Sequence, residues 1–273
     1  VPLWPPGPHE RQDCSHHKVN YIPSRTCNRR RCSDVPIHNK LSIYTFTLRT
    51  LVSVTLTITA ASSQETPPST AAFGDGANHY RNGSGQEQYP RHPAENVVEI
   101  ADTILLYQRA NGGWPSNWDP QRVLSAQEVG EIASKHNSND TTFDNSATYT
   151  QIDYLAEAFA RTRDAKYRDT ALRGLEFMLA AQHPCGGFPH SYPSRDTYRP
   201  YVTFMDAVTA GALTNFRAAA TRQPRYGFVD DPLRTRIAAA VDRGTACILN
   251  LQQPWNGRPA VWAGQYDPET LKP

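Results

Sequence analysis

From residue 94 onward the apolar residues recur every three or four positions, the spacing of one helix face. Val97, Val98, Ala101, Ile104 and Leu105 form a first stripe, and Ile152, Leu155, Ala156, Phe159 and Ala160 a second. Tyr167, Ala171, Leu172, Leu175, Met178 and Leu179 form a third. Val208, Gly211, Ala212 and Phe216 make a less sharp fourth, and Leu233, Ile237, Ala240, Val241, Ile248 and Leu249 a fifth. No window alternates apolar and polar residues cleanly enough for a core strand. The pattern predicts an all-α fold.

The stripes belong to a repeat. "LLYQRANGGWP" (105–115), "MLAAQHPCGGFP" (178–189) and "ILNLQQPWNGRP" (248–259) each end a helix in Leu-rich text and a glutamine. These glutamines, Gln108, Gln182 and Gln252, are spaced by 74 and 70 residues, room for two helices and two loops. In the first two copies a second helix is expected after the Gly-Gly loop, opening at "TFDNSATYTQ" (142–151) and "TFMDAVTAGA" (203–212). A helix pair repeated about an axis gives an (α/α) toroid, here incomplete at the C-terminus because the third copy reaches only Pro273. Gly112 and Gly186 suit the left-handed turn that ends a helix, with Trp114 or Phe188 folding back as an apolar clasp.

Upstream the text changes. Residues 64–93 are rich in Ser, Thr, Gly, Pro and Gln and read as a flexible linker. Residues 40–63 place Lys40 and Arg49 before an apolar run and small residues after it, as in a secretory signal. Arg49 and six threonines make the same segment a poor membrane span, so no stable membrane insertion is expected. Residues 1–39 read as a non-native or disordered leader. Cys14, Cys27 and Cys32 lie there near His16, His17 and His38, but without the pairing a zinc site uses. Residues 1–61 hold 8 Lys and Arg against 3 Asp and Glu, leaving 20 against 23 for the rest. The excess of positive charge therefore sits in the leader, and the main body has no electrostatic case for nucleic acid. Cys185 and Cys247 are open to pairing if the chain is secreted, or are free buried thiols.

Two resemblances bear on function. The Gln-x-x-Asn-Gly-Gly-Trp spelling at 108–114 matches the QW repeat of triterpene cyclases, but the Asp-rich acid motif that protonates a polyene has no counterpart. "YQRANGGWPSNWD" (107–119), "FDNSATYTQIDYLA" (143–156), "AAQHPCGGFPHSYPSRDTYRPYVTFMDAV" (180–208) and "VWAGQYDPETLKP" (261–273) occur in that order. Together, over residues 94–273, they resemble the pectate lyases of polysaccharide lyase family 10. The resemblance implies an (α/α) toroidal domain, secreted or periplasmic, that cleaves polygalacturonate and oligogalacturonides by calcium-assisted β-elimination. It is expected to work as a monomer.

That reaction removes the proton α to a uronate carboxylate, and charge accumulates on the carboxylate in the transition state. A hard cation with oxygen ligands, such as Ca2+, neutralises it. By motif position Asp144 and Asp206 resemble the family's functional acids and are the expected metal ligands, with Asn145 as a polar ligand or substrate contact. Each aspartate is placed at the start of the second helix of its repeat, where an N-cap is the competing reading. Met205 stands where a polar neighbour of the acid is expected.

Arg195, Tyr198 and Arg199 in "SRDTYRP" are candidate substrate contacts, because guanidinium forks suit carboxylates; a solvated loop is the alternative. Trp114 and Trp118 are candidate stacking rings, Trp255 and Trp262 are assigned to packing, and His190 is read as a structural histidine. Asp267 in "GQYD" has no assigned role. In the resembled family the general base is an arginine C-terminal to the "VW…QYD…TLKP" text. That position falls beyond Pro273, so the chain is expected to be an inactive fragment. A noncatalytic uronate-binding domain is the alternative, and a terpene-cyclase-like barrel a more distant one.

Overall fold

The computed structural model describes residues 66–85 and 88–273. The leader at 1–39, with its cysteines and histidines, and the signal-like segment at 40–63 lie outside the described residues. Those described are predominantly helical: α1 (Gly74–Ser84), α2 (Val97–Tyr107), α3 (Ala126–Ser134), α4 (Tyr149–Thr162), α5 (Ala165–Ala181), α6 (Val208–Ala220) and α7 (Asp231–Asn250). Four short strands complete them: β1 (Val202–Thr203), β2 (Gln253–Trp255), β3 (Arg258–Val261) and β4 (Gln265–Tyr266). β1 pairs antiparallel with β4, and β2 with β3. No helix among the described residues is long and apolar enough to cross a membrane.

The five apolar stripes become α2, α4, α5, α6 and α7, and their apolar faces meet in one core around Ile100, Ile104, Ile152, Leu155, Leu175, Phe216 and Ile237, each fully buried. α4 packs on α5 and α6 on α7, while α4 also touches α2 and α6. Sequence sets the ends of several helices. Asp230 accepts from the Leu233 amide at the start of α7, with Pro232 in the first turn. Ser125 and Glu128 form a reciprocal cap on α3.

Two expectations change. The supposed linker at 64–93 contains α1, preceded by Phe73, which is buried and lies 5.5 Å from the Tyr154 ring. One anchoring aromatic and Ala77 suffice to dock a short helix whose composition shows no apolar period. The absence of strands also fails locally. β1 and β4 are only two residues long, too short for alternation to register, yet Val202 and Tyr266 are fully buried.

The repeat is physical in its first two copies. The buried Gln108 amide donates to the Gly112 carbonyl (2.9 Å) and to the Thr170 carbonyl (3.0 Å), while its oxygen accepts from Arg173 Nε (3.0 Å). Gln182 does the same with Gly186 (2.9 Å), Ala240 (2.8 Å) and Arg243 (2.7 Å). Each glutamine thereby fastens a helix end, its Gly-Gly loop and the first helix of the next copy. Gly112 and Gly186 have φ of +96° and +103°, and an added Cβ would sit 2.6 Å from the Arg173 carbonyl oxygen and 2.2 Å from that of Arg243. No other residue fits so close an approach.

The third copy differs: Asn256 and Gly257, both at positive φ, turn β2 into β3 as a hairpin. The Gln252 side chain makes no hydrogen bond among the described residues. Replacing Gln108 by Leu removes its bonds to the Gly112 and Thr170 carbonyls and to Arg173 and is expected to cost about 2–4 kcal/mol in urea denaturation. Gln252→Leu is expected to change stability by less than about 0.5 kcal/mol.

Candidate functional site

The second helix of each repeat is entered through a tight turn built the same way twice. Thr148 Oγ accepts from the Trp114 amide (3.3 Å) and donates to the Thr142 carbonyl (2.7 Å). Thr209 Oγ accepts from the Phe188 amide (3.1 Å) and donates to the Thr203 carbonyl (2.7 Å). These bonds set the register between copies: Thr142 matches Thr203 and Thr148 matches Thr209. Asn145 therefore corresponds to Asp206, and both sit at φ of 49°. Asp144 corresponds to Met205. The equivalence of Asp144 and Asp206 expected from the motifs is thus off by one residue. Neither aspartate is a helix N-cap, since α4 and α6 begin after Thr148 and Ala207.

Non-glycine residues at positive φ crowd these turns: Asn145, Ser146 and Thr148 in one, Asp206 and Ala207 in the other. Left-handed backbone is tolerable for Asn and Asp but costly for Thr and Ala, and such strain persists where surrounding structure enforces it. The two turns pack against each other, and α1 packs on the first.

Beside the first turn opens a cleft of about 570 Å³. Asp144, His190, Arg195, Tyr198 and Arg199 all line it. His190 Nε2 lies 3.4 Å from Asp144 Oδ2, its Nδ1 is 2.8 Å from Ser191 Oγ, and its ring meets the Tyr198 ring edge-on at 5.3 Å. The hydrogen bond from His190 holds the Asp144 carboxyl below its ordinary range, against the opposing effect of burial. Asp140, also in the lining, is engaged by Arg109 through bonds of 2.6 and 2.9 Å, and this pairing outweighs its burial to hold its carboxyl low.

Asp206 is exposed and does not line the cleft, but its turn adjoins that of Asp144. Burial raises the Tyr149 phenol against the Ser146 hydroxyl, which lowers it, and the negative charges of Asp75, Asp144 and Asp206 add to the rise. Asn145 donates to Asn117 Oδ1 (2.7 Å), which leaves its own amide oxygen for another partner.

Several assignments are corrected. Trp114 is fully buried with its indole donating to the Ile104 carbonyl (2.8 Å), so it is a core side chain and presents no face to a sugar. Trp118 is likewise buried, stacked on Tyr107 at 3.9 Å. Trp255 and Trp262, assigned to packing, are instead exposed at 65% and 43%. Asp267 accepts from the Glu269 and Thr270 amides and caps a local turn. His190 contacts a candidate ligand, and Asp75 comes from a stretch read as linker. His190, open from sequence as a sugar contact but read as structural, lies five residues before Arg195 in "FPHSYPSRD".

The pectic acid lyase family model matches residues 108–273, more than half of the chain. This chain belongs to the pectic acid lyase family. It is similar to a solved family 10 polysaccharide lyase from Cellvibrio cellulosa, an Asp-to-Ala mutant in complex with trigalacturonic acid. That likeness has a TM-score of 0.59 at 29% identity and covers 76% of this chain and 60% of that one. A second structure of a family 10 polysaccharide lyase from the same organism gives 0.56 at 29% identity, over 73% and 58%. The chain thus spans about 60% of the length of these solved relatives. No curated protein matches significantly.

Because the folded Asp144 carboxyl titrates below its unfolded value, its contribution to stability is complete above the ordinary carboxylate range. It is lost as pH falls through the depressed folded value. His190→Ala is expected to move Asp144 back up and to shrink this acid-side loss. An NMR titration of the Asp144 carboxyl, with denaturation curves at stepped acidic pH, checks both.

Proposed function

We propose that these residues carry the calcium- and uronate-binding part of a pectate lyase active site, acting on polygalacturonate by β-elimination. The observation that carries this reading is the shared cleft. Asp144, its histidine (His190), two arginines without an ion pair among the described residues (Arg195, Arg199) and a tyrosine (Tyr198) line it with Asp140 and Asp196, beside the turn that bears Asp206. The family match and the solved relative bound to trigalacturonic acid support it. Helix pairs α4/α5 and α6/α7 are, in this reading, successive pairs of an (α/α) toroid, and the protein is a secreted monomer.

The donor set suits calcium in part. Carboxylates of Asp144 and Asp206 and the free amide oxygen of Asn145 are hard oxygen donors, whereas calcium takes about six to eight. Among the described residues no three His, Cys, Asp or Glu side chains group as a ligand cluster. Asp144, Asp206 and Asn145 would hold the ion, with substrate and water oxygens completing its shell. When bound, the cation supplies positive charge beside the substrate carboxylate as its α-proton leaves.

The chain's own residues do the rest. His190 keeps Asp144 ionised and oriented. Arg195 and Arg199 offer bidentate donors to neighbouring uronates along the polymer, and Tyr198 a hydroxyl and a ring edge. The general base is assigned to none of the described residues. A noncatalytic uronate-binding domain is the second reading, favoured by that same gap.

Calorimetric titration with trigalacturonate is expected to show binding that requires calcium and vanishes with a chelator. Asp206→Asn should weaken it about 100-fold or more, and unchanged affinity would remove Asp206 from the site. The 273-residue chain is expected to bind polygalacturonate and release no unsaturated product. Growth of that product's ultraviolet absorbance would place the base among the chain's own residues.

A further inference from the structure

The loop of the second Gly-Gly pair lies against α7 more tightly than its counterpart lies against α5. An added Cβ at Gly186 would meet Arg243 C and O and Gly244 N within 2.6 Å, and one at Gly187 would sit 2.3 Å from Val202 and 3.3 Å from Cys247 Sγ. Cys185, on the loop side, is half-buried, and Cys247, on α7, is 3% exposed. The Cys247 thiol donates to Cys185 Sγ at 3.5 Å. Both belong to a small apolar cluster with Val202, Leu251 and Tyr266, separate from the main core. No other described cysteine is present.

We propose that Cys185 and Cys247 are a thiol–disulfide exchange site, which a small disulfide such as oxidised glutathione closes into a bond between the second Gly-Gly loop and α7. The chemistry balances. The Cys185 thiolate attacks one sulfur of the small disulfide, forming a mixed disulfide and releasing one thiolate. Cys247, losing its proton, then attacks Cys185 Sγ and expels the second thiolate. Two protein thiols are oxidised by two electrons, and one small disulfide is reduced to two thiols.

The roles follow from the surroundings. Cys185 is the accessible member, and the hydrogen bond from Cys247 holds its thiol below the ordinary range despite burial. Cys247 is the enclosed member that donates the bond, and the bond to Cys185 with burial raises its thiol. The two sulfurs are already in contact at 3.5 Å, with about 1.5 Å to close to bonding distance, and the loop that carries Cys185 sits directly on α7.

The bond would tie down the segment leading to Asp206. Phe188 N donates to Thr209 Oγ and Thr203 N to the Phe188 carbonyl, so the loop, β1 and the Asp206 turn form one hydrogen-bonded unit. The proposal does not rest on the lyase reading.

The test uses the 273-residue chain equilibrated in glutathione buffers of increasing oxidised fraction, then alkylated and peptide-mapped. A Cys185–Cys247 linked peptide is expected, together with a rise in Tm of about 5–15 °C over the reduced chain. Cys247→Ser should instead trap a glutathione adduct on Cys185, and Cys185→Ser should abolish both linkage and shift. Both thiols remaining alkylatable in the most oxidising buffer, or Cys185 linking instead to Cys14, Cys27 or Cys32, would overturn the proposal.

Discussion

A buried glutamine amide organises this molecule. Gln108 and Gln182 each stand at the end of an apolar helix, where carbonyls lack intrahelical donors. Each uses both amide hydrogens on backbone carbonyls, one in its own Gly-Gly loop and one in the first helix of the next copy, and its oxygen accepts from an arginine of that helix. The residue that ends one helix thereby ties its own loop to a helix of the next copy. Left unpaired, the buried Gln108 amide would carry a desolvation cost, so its bonds to the loop and the neighbouring helix stabilise this arrangement.

The rest of the fold inherits its position from that joint. With the loop fixed, Trp114 and Phe188 drop into the core, and their amides meet Thr148 and Thr209. The threonines in turn shape the strained turns carrying Asp144, Asn145 and Asp206. A chain of hydrogen bonds thus runs from the packing device to the polar groups at the cleft. The turn strain is held by the same bonds, which is how a surface-facing aspartate or asparagine stays at φ of 49°.

The asymmetry between copies gives the site its character. The first turn offers Asp144 and Asn145, the second only Asp206, because Met205 occupies the position of Asp144. The cleft accordingly lies beside the first turn, where His190 and the 195–199 loop close over it. Met205 packs instead over Gly264, where a Cβ would come within 2.8 Å of its sulfur.

Much of this was legible from residues alone. Helical periodicity marks which face of each segment turns inward, and the recurring Gln and Gly-Gly text marks the repeat, because both are local consequences of backbone geometry. Asp144 stood out through the family resemblance, and Arg195, Tyr198 and Arg199 through guanidinium chemistry, but their sharing of one cleft was not legible. What only tertiary structure decided were matters of partner rather than of face. Trp114 and Trp118 are large amphipathic rings equally able to cap a core or a sugar, and long-range packing sent both inward. Docking of Phe73 on Tyr154 set the helix at residues 74–84 against the first turn. The register of Asn145 on Asp206, the approach of His190 to Asp144 and of Cys185 to Cys247 depend on contacts between segments tens of residues apart. Periodicity has no memory over such distances, so these were settled by packing alone.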